Sequence, residues 1–292
     1  MRSTTFAQSV FTAVMLALLL VSCNDKSQNP LSSKSQTAYD RVLQTKTIRV
    51  AYISYPPSFI KDAKTGANSG IFHEVLKEMA DRMELKVEYV EETAWGTMIE
   101  SVRSGRVDLV CTGIWPNATR GKLVDFTDPV YFSPIKAYVR AGDARFDGNP
   151  ASINTPKVRI ATIDGEMSSI IAKTDFATAQ THALPQTTEI AQLLLEVSTG
   201  KADVTFVEPA VAEAFAASNP NMIQQVKNID AVRVFPNVMM VAKGETNLLS
   251  MLNIAMSELA NTGVVDKIVT KYEIRPGVFL RRQRPYQTSA AQ

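Results

Sequence analysis

The side chains of this 292-residue chain that most readily become nucleophiles or metal ligands are Cys23, Cys111, His73 and His182. Their spacing serves neither use. The two histidines stand far apart with no His or Cys at ligand distance, so a zinc site is not expected, nor any other metal or cofactor. No Ser, His and Asp fall into a nucleophilic arrangement, and no Gly-rich loop offers itself to a phosphate. Two cysteines cannot build a disulfide scaffold. Cys111 lies in the apolar run Val107-Asp108-Leu109-Val110-Cys111-Thr112, where a thiol is expected to be buried and inert. What remains are scattered carboxylates, arginines and aromatics, which are binding chemistry, and their use depends on the elements that carry them.

Composition is that of a globular protein: 45% hydrophobic and 21% charged, with 13 Gly and 14 Pro. The length fits roughly two domains with real cores. Lys and Arg number 31 against 29 Asp and Glu, so no net field draws the chain onto nucleic acid. The tail cluster Arg281, Arg282 and Arg284 reads as solvated.

The N-terminus reads as an address. Residues 1–22 carry one charge, Arg2, before an apolar run over 10–21. Those twelve residues cover about 18 Å as a helix, short of the ~30 Å of a hydrocarbon core. A short apolar run behind a basic start is a secretory signal. Its end, Leu20-Val21-Ser22-Cys23, looks like a bacterial lipobox, in which cleavage leaves Cys23 to be acylated. Acyl chains on Cys23 would anchor the protein to a membrane, in the periplasm or at the cell surface. Residues 23–46 are rich in Ser, Gln, Asn and Lys and read as a flexible tether, with one helical turn before Lys46.

From Thr47 strands and helices alternate. Residues 48–53 read as a strand ended by Pro56-Pro57. Residues 71–83 place Ile71, Val75, Leu76, Met79 and Met83 on one helical face. Strands are expected over 85–90, 107–112 and 135–140, with a helix over 95–104 stopped by Gly105. The pattern restarts with a strand over 158–163, helices over 168–174 and 189–198, and a strand over 202–207. A strand over 238–242 and helices over 248–261 and 264–272 follow. This order predicts an α/β fold of two parallel-sheet units with a cleft between them.

The segments in order resemble the periplasmic solute-binding proteins of polar amino-acid ABC transporters, family 3. The residues that carry the likeness are Ile48-Arg49-Val50-Ala51-Tyr52 with Tyr55-Pro56-Pro57-Ser58-Phe59, then Gly70 to Glu74. Ser104-Gly105-Arg106-Val107-Asp108 follows, with Thr119-Arg120 and Val124 to Pro129. The others are Thr199-Gly200-Lys201-Ala202-Asp203 with Glu208, then Asn261-Thr262-Gly263 with Lys271-Tyr272. The likeness spans about residues 47–275. It implies two lobes of type II-like organisation joined by two hinge strands, closing on a small ligand. Lobe 1 would be 47–139 plus 234–281, lobe 2 140–233, and 282–292 a tail. It also implies a monomer without a cofactor that captures an amino acid or similar solute for an ABC permease.

Residue by residue, the resemblance places Arg120 where an arginine grips the ligand carboxylate, a task suited to the guanidinium fork. Tyr55 and Trp95 match aromatic positions flanking the ligand. Gly113 and Trp115 match positions whose backbone holds its polar ends. Glu208 stands where an acid pairs with the ligand ammonium, so that an acid and an arginine would face each other across the cleft, as a zwitterion requires. Asp108 and Asp203 read as structural. Three positions depart from the pattern. Trp115 replaces a small residue, Asn117 a threonine, and the second-lobe loop reads Asp164-Gly165-Glu166-Met167-Ser168-Ser169 where a hydroxyl usually follows the glycine. Glu166 repels a simple carboxylate unless it faces a cation, which points to a cationic, amide-bearing or larger ligand, with hydroxyl donation moved to Ser168. Two alternatives use the same fold. One is a cyclohexadienyl dehydratase-like enzyme with Glu166 as the acid. The other is a ligand-sensing subunit that signals through a separate partner.

Overall fold

Runs of Ile, Val, Ala and Tyr alternate with amphipathic helices, and in the computed structural model, which describes residues 36–282, they build two units on one plan. The first holds α1 (Ala38–Thr45), β1 (Thr47–Tyr52), β2 (Ile60–Lys61), β3 (Asn68–Ser69), α2 (Ile71–Arg82), β4 (Lys86–Glu92), α3 (Met98–Arg103), β5 (Leu109–Ile114), α4 (Ala118–Gly121) and β6 (Val124–Phe126). The long strand β7 (Tyr131–Arg140) leads to the second unit. There follow β8 (Arg159–Ile163), α5 (Met167–Asp175), β9 (Gln180–Leu184), α6 (Ala191–Ser198), β10 (Val204–Val207), α7 (Pro209–Ser218) and β11 (Ile223–Gln225). β12 (Arg233–Ala242) returns to the first unit, which ends with α8 (Thr246–Asn261), α9 (Val264–Tyr272) and β13 (Leu280–Arg281).

β1 pairs in parallel with β4 and β5, and β8 with β9 and β10. The sheets are tied by β7 and β12, which pair antiparallel from Arg233↔Ile135 to Asn237↔Tyr131. Beyond that stretch β7 joins β10, while β12 joins β5 and β6. This is the two-lobed α/β architecture that the element order predicts, with the two connecting strands that the resemblance implies. Among the described residues no single helix is long and apolar enough to cross a membrane.

The apolar periodicities settle the packing. Ile71, Val75, Leu76 and Met79 of α2 and Leu248, Leu252, Met256 and Leu259 of α8 are fully buried in the first-lobe core. Ile160, Ile171, Val204 and Phe206 centre the second. Each such side chain contributes roughly 1.5–3 kcal/mol on burial. Cys111 lies buried on β5, its thiol against the Phe72 carbonyl at 3.4 Å, and burial pushes its pKa up, as an inert thiol requires.

Several segments differ from the sequence expectation. Residues 38–45, counted in the tether, form α1, because Val42 docks fully buried in the first-lobe core. Residues 23–35, including Cys23, lie outside the described residues, as do the signal segment and 283–292. β7 and β12 begin before the expected 135 and 238, with Pro134 and Pro236 inside them. His182 is on β9, a strand the sequence pattern does not mark, and both histidines have partners. His73 Nδ1 meets the Tyr89 hydroxyl at 2.7 Å and His182 Nε2 meets Glu196 at 3.0 Å. The tail arginines are not merely solvated, since Arg281 pairs with Glu273 and Arg282 with Asp128.

Candidate functional site

The parallel strands β1, β5, β8 and β10 each hand over, at the carboxyl end, to a segment carrying a polar or aromatic group. Tyr55 follows β1, Trp115 and Arg120 follow β5, Glu166 follows β8, and Glu208 follows β10 directly. Ligand crevices of open α/β sheets lie at such ends.

Arg120 sits on the single turn of α4, whose start is fixed by the Asn117 side chain accepting the Arg120 backbone N–H at 2.9 Å. Both outer nitrogens of its buried guanidinium are engaged. Nη1 donates to the Trp115 carbonyl at 3.0 Å, and Nη2 donates across the lobes to Glu166 Oε1 at 2.5 Å. Glu166 is itself buried at the start of α5, reached through Gly165 at φ 75°. Burial pushes the Glu166 carboxyl up, and Arg120 and then a Gln186 hydrogen bond pull it back only in part.

Glu208 stands at the N-cap position of α7 without capping it through its side chain, and Pro209 at the first helical position needs no N–H partner. The Tyr55 hydroxyl donates to Glu208 Oε2 at 2.5 Å, and the Ser133 hydroxyl donates to Oε1. Asn237 Nδ2 donates to Ser133 Oγ at 2.7 Å, while Asn237 Oδ1 accepts from Trp115 Nε1 at 3.1 Å. A polar chain thus runs from Trp115 on the first lobe, through the two connecting strands, to Glu208 on the second. Burial pushes the Glu208 carboxyl up, and the hydrogen bonds from Ser133, Tyr55 and Asn237 offset it only in part.

The remaining expected residues take up supporting places. Trp95 meets the Tyr55 ring edge-on, with centroids 5.4 Å apart. Trp115 lies against Phe235 at 5.6 Å. Gly113 is where the strands crowd, since a Cβ there would stand 2.7 Å from Asn237 Oδ1 and 2.8 Å from Ser58 Oγ. The Ser168 hydroxyl accepts the Ile163 N–H at 3.0 Å, which ties it to the end of β8. The acid that meets Arg120 is Glu166, not Glu208. Sequence reasoning missed Ser133, Asn237 and Gln186. For the first two a signal existed in polar residues beside Pro134 and Pro236 in otherwise apolar strands. Among the described residues no group of three His, Cys, Asp or Glu could hold a metal ion.

Residues 48–274 match the bacterial extracellular solute-binding proteins, family 3. The chain is 23% identical over 270 residues to a probable histidine-binding protein of Campylobacter jejuni, covering 91% of this chain and 98% of that protein. It is also 23% identical over 266 residues to the arginine-binding extracellular protein ArtP of Bacillus subtilis, covering 90% and 96%. Among solved structures it resembles the ancestral amino acid-binding protein AncCDT-1, a precursor of cyclohexadienyl dehydratase. That likeness has a TM-score of 0.68 and 26% identity over 81% of this chain and 99% of the other. The match runs from β1 past α9, through both lobes and both connecting strands, and the chain belongs to the bacterial extracellular solute-binding proteins of family 3.

Proposed function

We propose that this protein captures an amino acid or similar small polar solute between its lobes and delivers it to an ABC transporter permease. The observation that carries this reading is the meeting across the lobes of the Arg120 guanidinium of the first with Glu166 of the second, beside a second buried acid, Glu208, held by Tyr55. The guanidinium matches a carboxylate, and an acid across the cleft matches an ammonium. Two acids against one arginine suit a solute with a second basic group, in keeping with the histidine- and arginine-binding names of the relatives. Tyr55 and Trp95 would flank the solute, and the backbone at Gly113 and Trp115, with Ser168, would hold its polar ends. Lobe closure on the solute would present the form the permease reads. Acylation at Cys23 would hold the monomeric protein at a membrane outside the cytoplasm. Cys23→Ala should then release it from the membrane fraction.

The test is thermal unfolding against amino acids, amines, small peptides, organic acids and cyclohexadienyl substrates. A ligand at a hundred times its Kd adds about 2.7 kcal/mol, a shift of several degrees. A basic amino acid should give that shift, and Arg120→Ala should weaken binding by roughly a hundredfold or more. No shift with any zwitterion, or a shift that survives Arg120→Ala, would overturn the reading. Turnover of a cyclohexadienyl substrate would favour the dehydratase alternative.

A further inference from the structure

Arg120 is engaged through both outer nitrogens, and its partner across the cleft has the same chemistry as a ligand carboxylate. Glu166 Oε1 receives Nη2 at 2.5 Å, both side chains are buried, and Nη1 is held by the Trp115 carbonyl at 3.0 Å. Gly165 at φ 75° turns the chain sharply from β8 to α5 and aims Glu166 at the first lobe. The bare face of Gly165 admits Gln186, whose amide would stand 3.5 Å from a Cβ there and which also hydrogen-bonds Glu166. Glu208 is not placed for this exchange. Its Oε2 is held by Tyr55 and its Oε1 by Ser133, the latter on a connecting strand rather than on the opposite lobe tip.

We infer that Glu166 is a built-in competitor of the solute: its carboxylate holds the lobes together on Arg120, and a solute binds by replacing it there while supplying the displaced carboxylate with a cation. This rests on the solute-binding reading of the cleft. A zwitterion with an uncharged side chain takes Arg120 from Glu166 and leaves a buried anion with the neutral Gln186 amide but no countercharge from the protein. A basic side chain replaces the partner it removed. Glu166 therefore sets both the closure of the lobes and the preference for a second positive charge.

Two readouts on the full-length chain in detergent test this, with Glu166→Gln, which keeps the shape and removes the charge, and Glu166→Ser as a smaller second variant. The first needs no solute. Spin labels at Lys64 and Lys173, one exposed position on each lobe, report the distance between lobes. Both variants should lengthen it. The second is calorimetric Kd for L-arginine and for L-citrulline, its uncharged isostere. The unaltered protein should prefer arginine by about tenfold or more, and Glu166→Gln should bring that ratio toward one by tightening citrulline about tenfold. An unchanged lobe distance together with an unchanged ratio in both variants overturns the inference. If neither amino acid binds any form, the solute-binding reading fails, and the lobe distance still decides whether Glu166 holds the lobes together.

Discussion

In the first lobe Asp108 stands just before β5, and in the second Asp203 stands just before β10. Each follows a helix, a glycine at positive φ (Gly105 at 71°, Gly200 at 79°) and two further residues. Asp108 accepts the backbone N–H of Arg49 at 2.7 Å, and Asp203 that of Arg159 at 2.8 Å, so each fastens the lobe's first strand to the strand beside it. The same arginine then folds its side chain back onto the same carboxylate in both lobes. Only the third partner differs. It is Arg41 of α1 for Asp108 and Arg145 after β7 for Asp203. The cleft ends of the same strands are not repeated at all. The first lobe presents donors, Arg120 and Tyr55, and the second presents the acids Glu166 and Glu208 that receive them. The repeated part folds each lobe, and the part that differs joins one lobe to the other.

The two aspartates offer the sharpest test of that division. The Asp108 side chain is 0% exposed, with arginines only 21% and 29% exposed, whereas Asp203 is 11% exposed and its arginines Arg145 and Arg159 are 51% and 45% exposed. Removing Asp108 strands two partly buried guanidinium groups and loosens α1. Asp108→Ala should therefore destabilise by about 3 kcal/mol or more in urea unfolding. Asp203→Ala should lose roughly 1–2 kcal/mol, because its arginines can turn to water. Neither should alter solute preference. Equal losses would mean that α1 adds nothing to the first lobe's node.

The repeated frame is also what the sequence makes most legible. Ser104-Gly105-Arg106-Val107-Asp108 and Thr199-Gly200-Lys201-Ala202-Asp203 can be aligned by eye, and the apolar faces of α2 and α8 declare themselves by period. What was hidden lies where tertiary context outweighs local pattern. β9 reads Gln180-Thr181-His182-Ala183-Leu184, an edge strand with Gln180, Thr181 and Ala183 exposed, so no hydrophobic alternation marks it. β7 and β12 are expected from the sequence to begin at 135 and 238, yet Pro134 and Pro236 both fit within the stretch where the two strands pair. α7 had a readable signal in Pro209 ahead of an Ala-rich run. In the site, the family resemblance singles out Tyr55, Arg120 and Glu208, and Glu166 as a departure from it. Which acid meets the arginine could not be read, because it depends on how the lobes come together rather than on either lobe's sequence.

The smallest expected effect separates the two kinds of acid by the sign of their pH dependence. Burial pushes Asp203 up, but the Arg159 N–H and the Arg145 guanidinium outweigh it and hold the carboxyl below its ordinary 3.8. A depressed acid contributes stability that is present above the ordinary value and is lost as pH falls through the depressed one. Glu208 runs the other way. Burial holds it above its ordinary 4.5, so its contribution is complete below that value and is lost as pH rises through the raised one. Glu208→Gln, which imitates the protonated acid, should then match the unaltered protein near pH 4 and exceed it near pH 7 by about 1 kcal/mol, or roughly 2–4 °C in Tm. Asp203→Asn should show its loss at pH 7 and less of it at pH 3. Parallel pH profiles for the two variants would erase the distinction between an acid that holds the frame and one that suits a cation. Divergent profiles would show it directly, since an acid kept buried beyond its own hydrogen bonds gains most when a solute's ammonium arrives beside it.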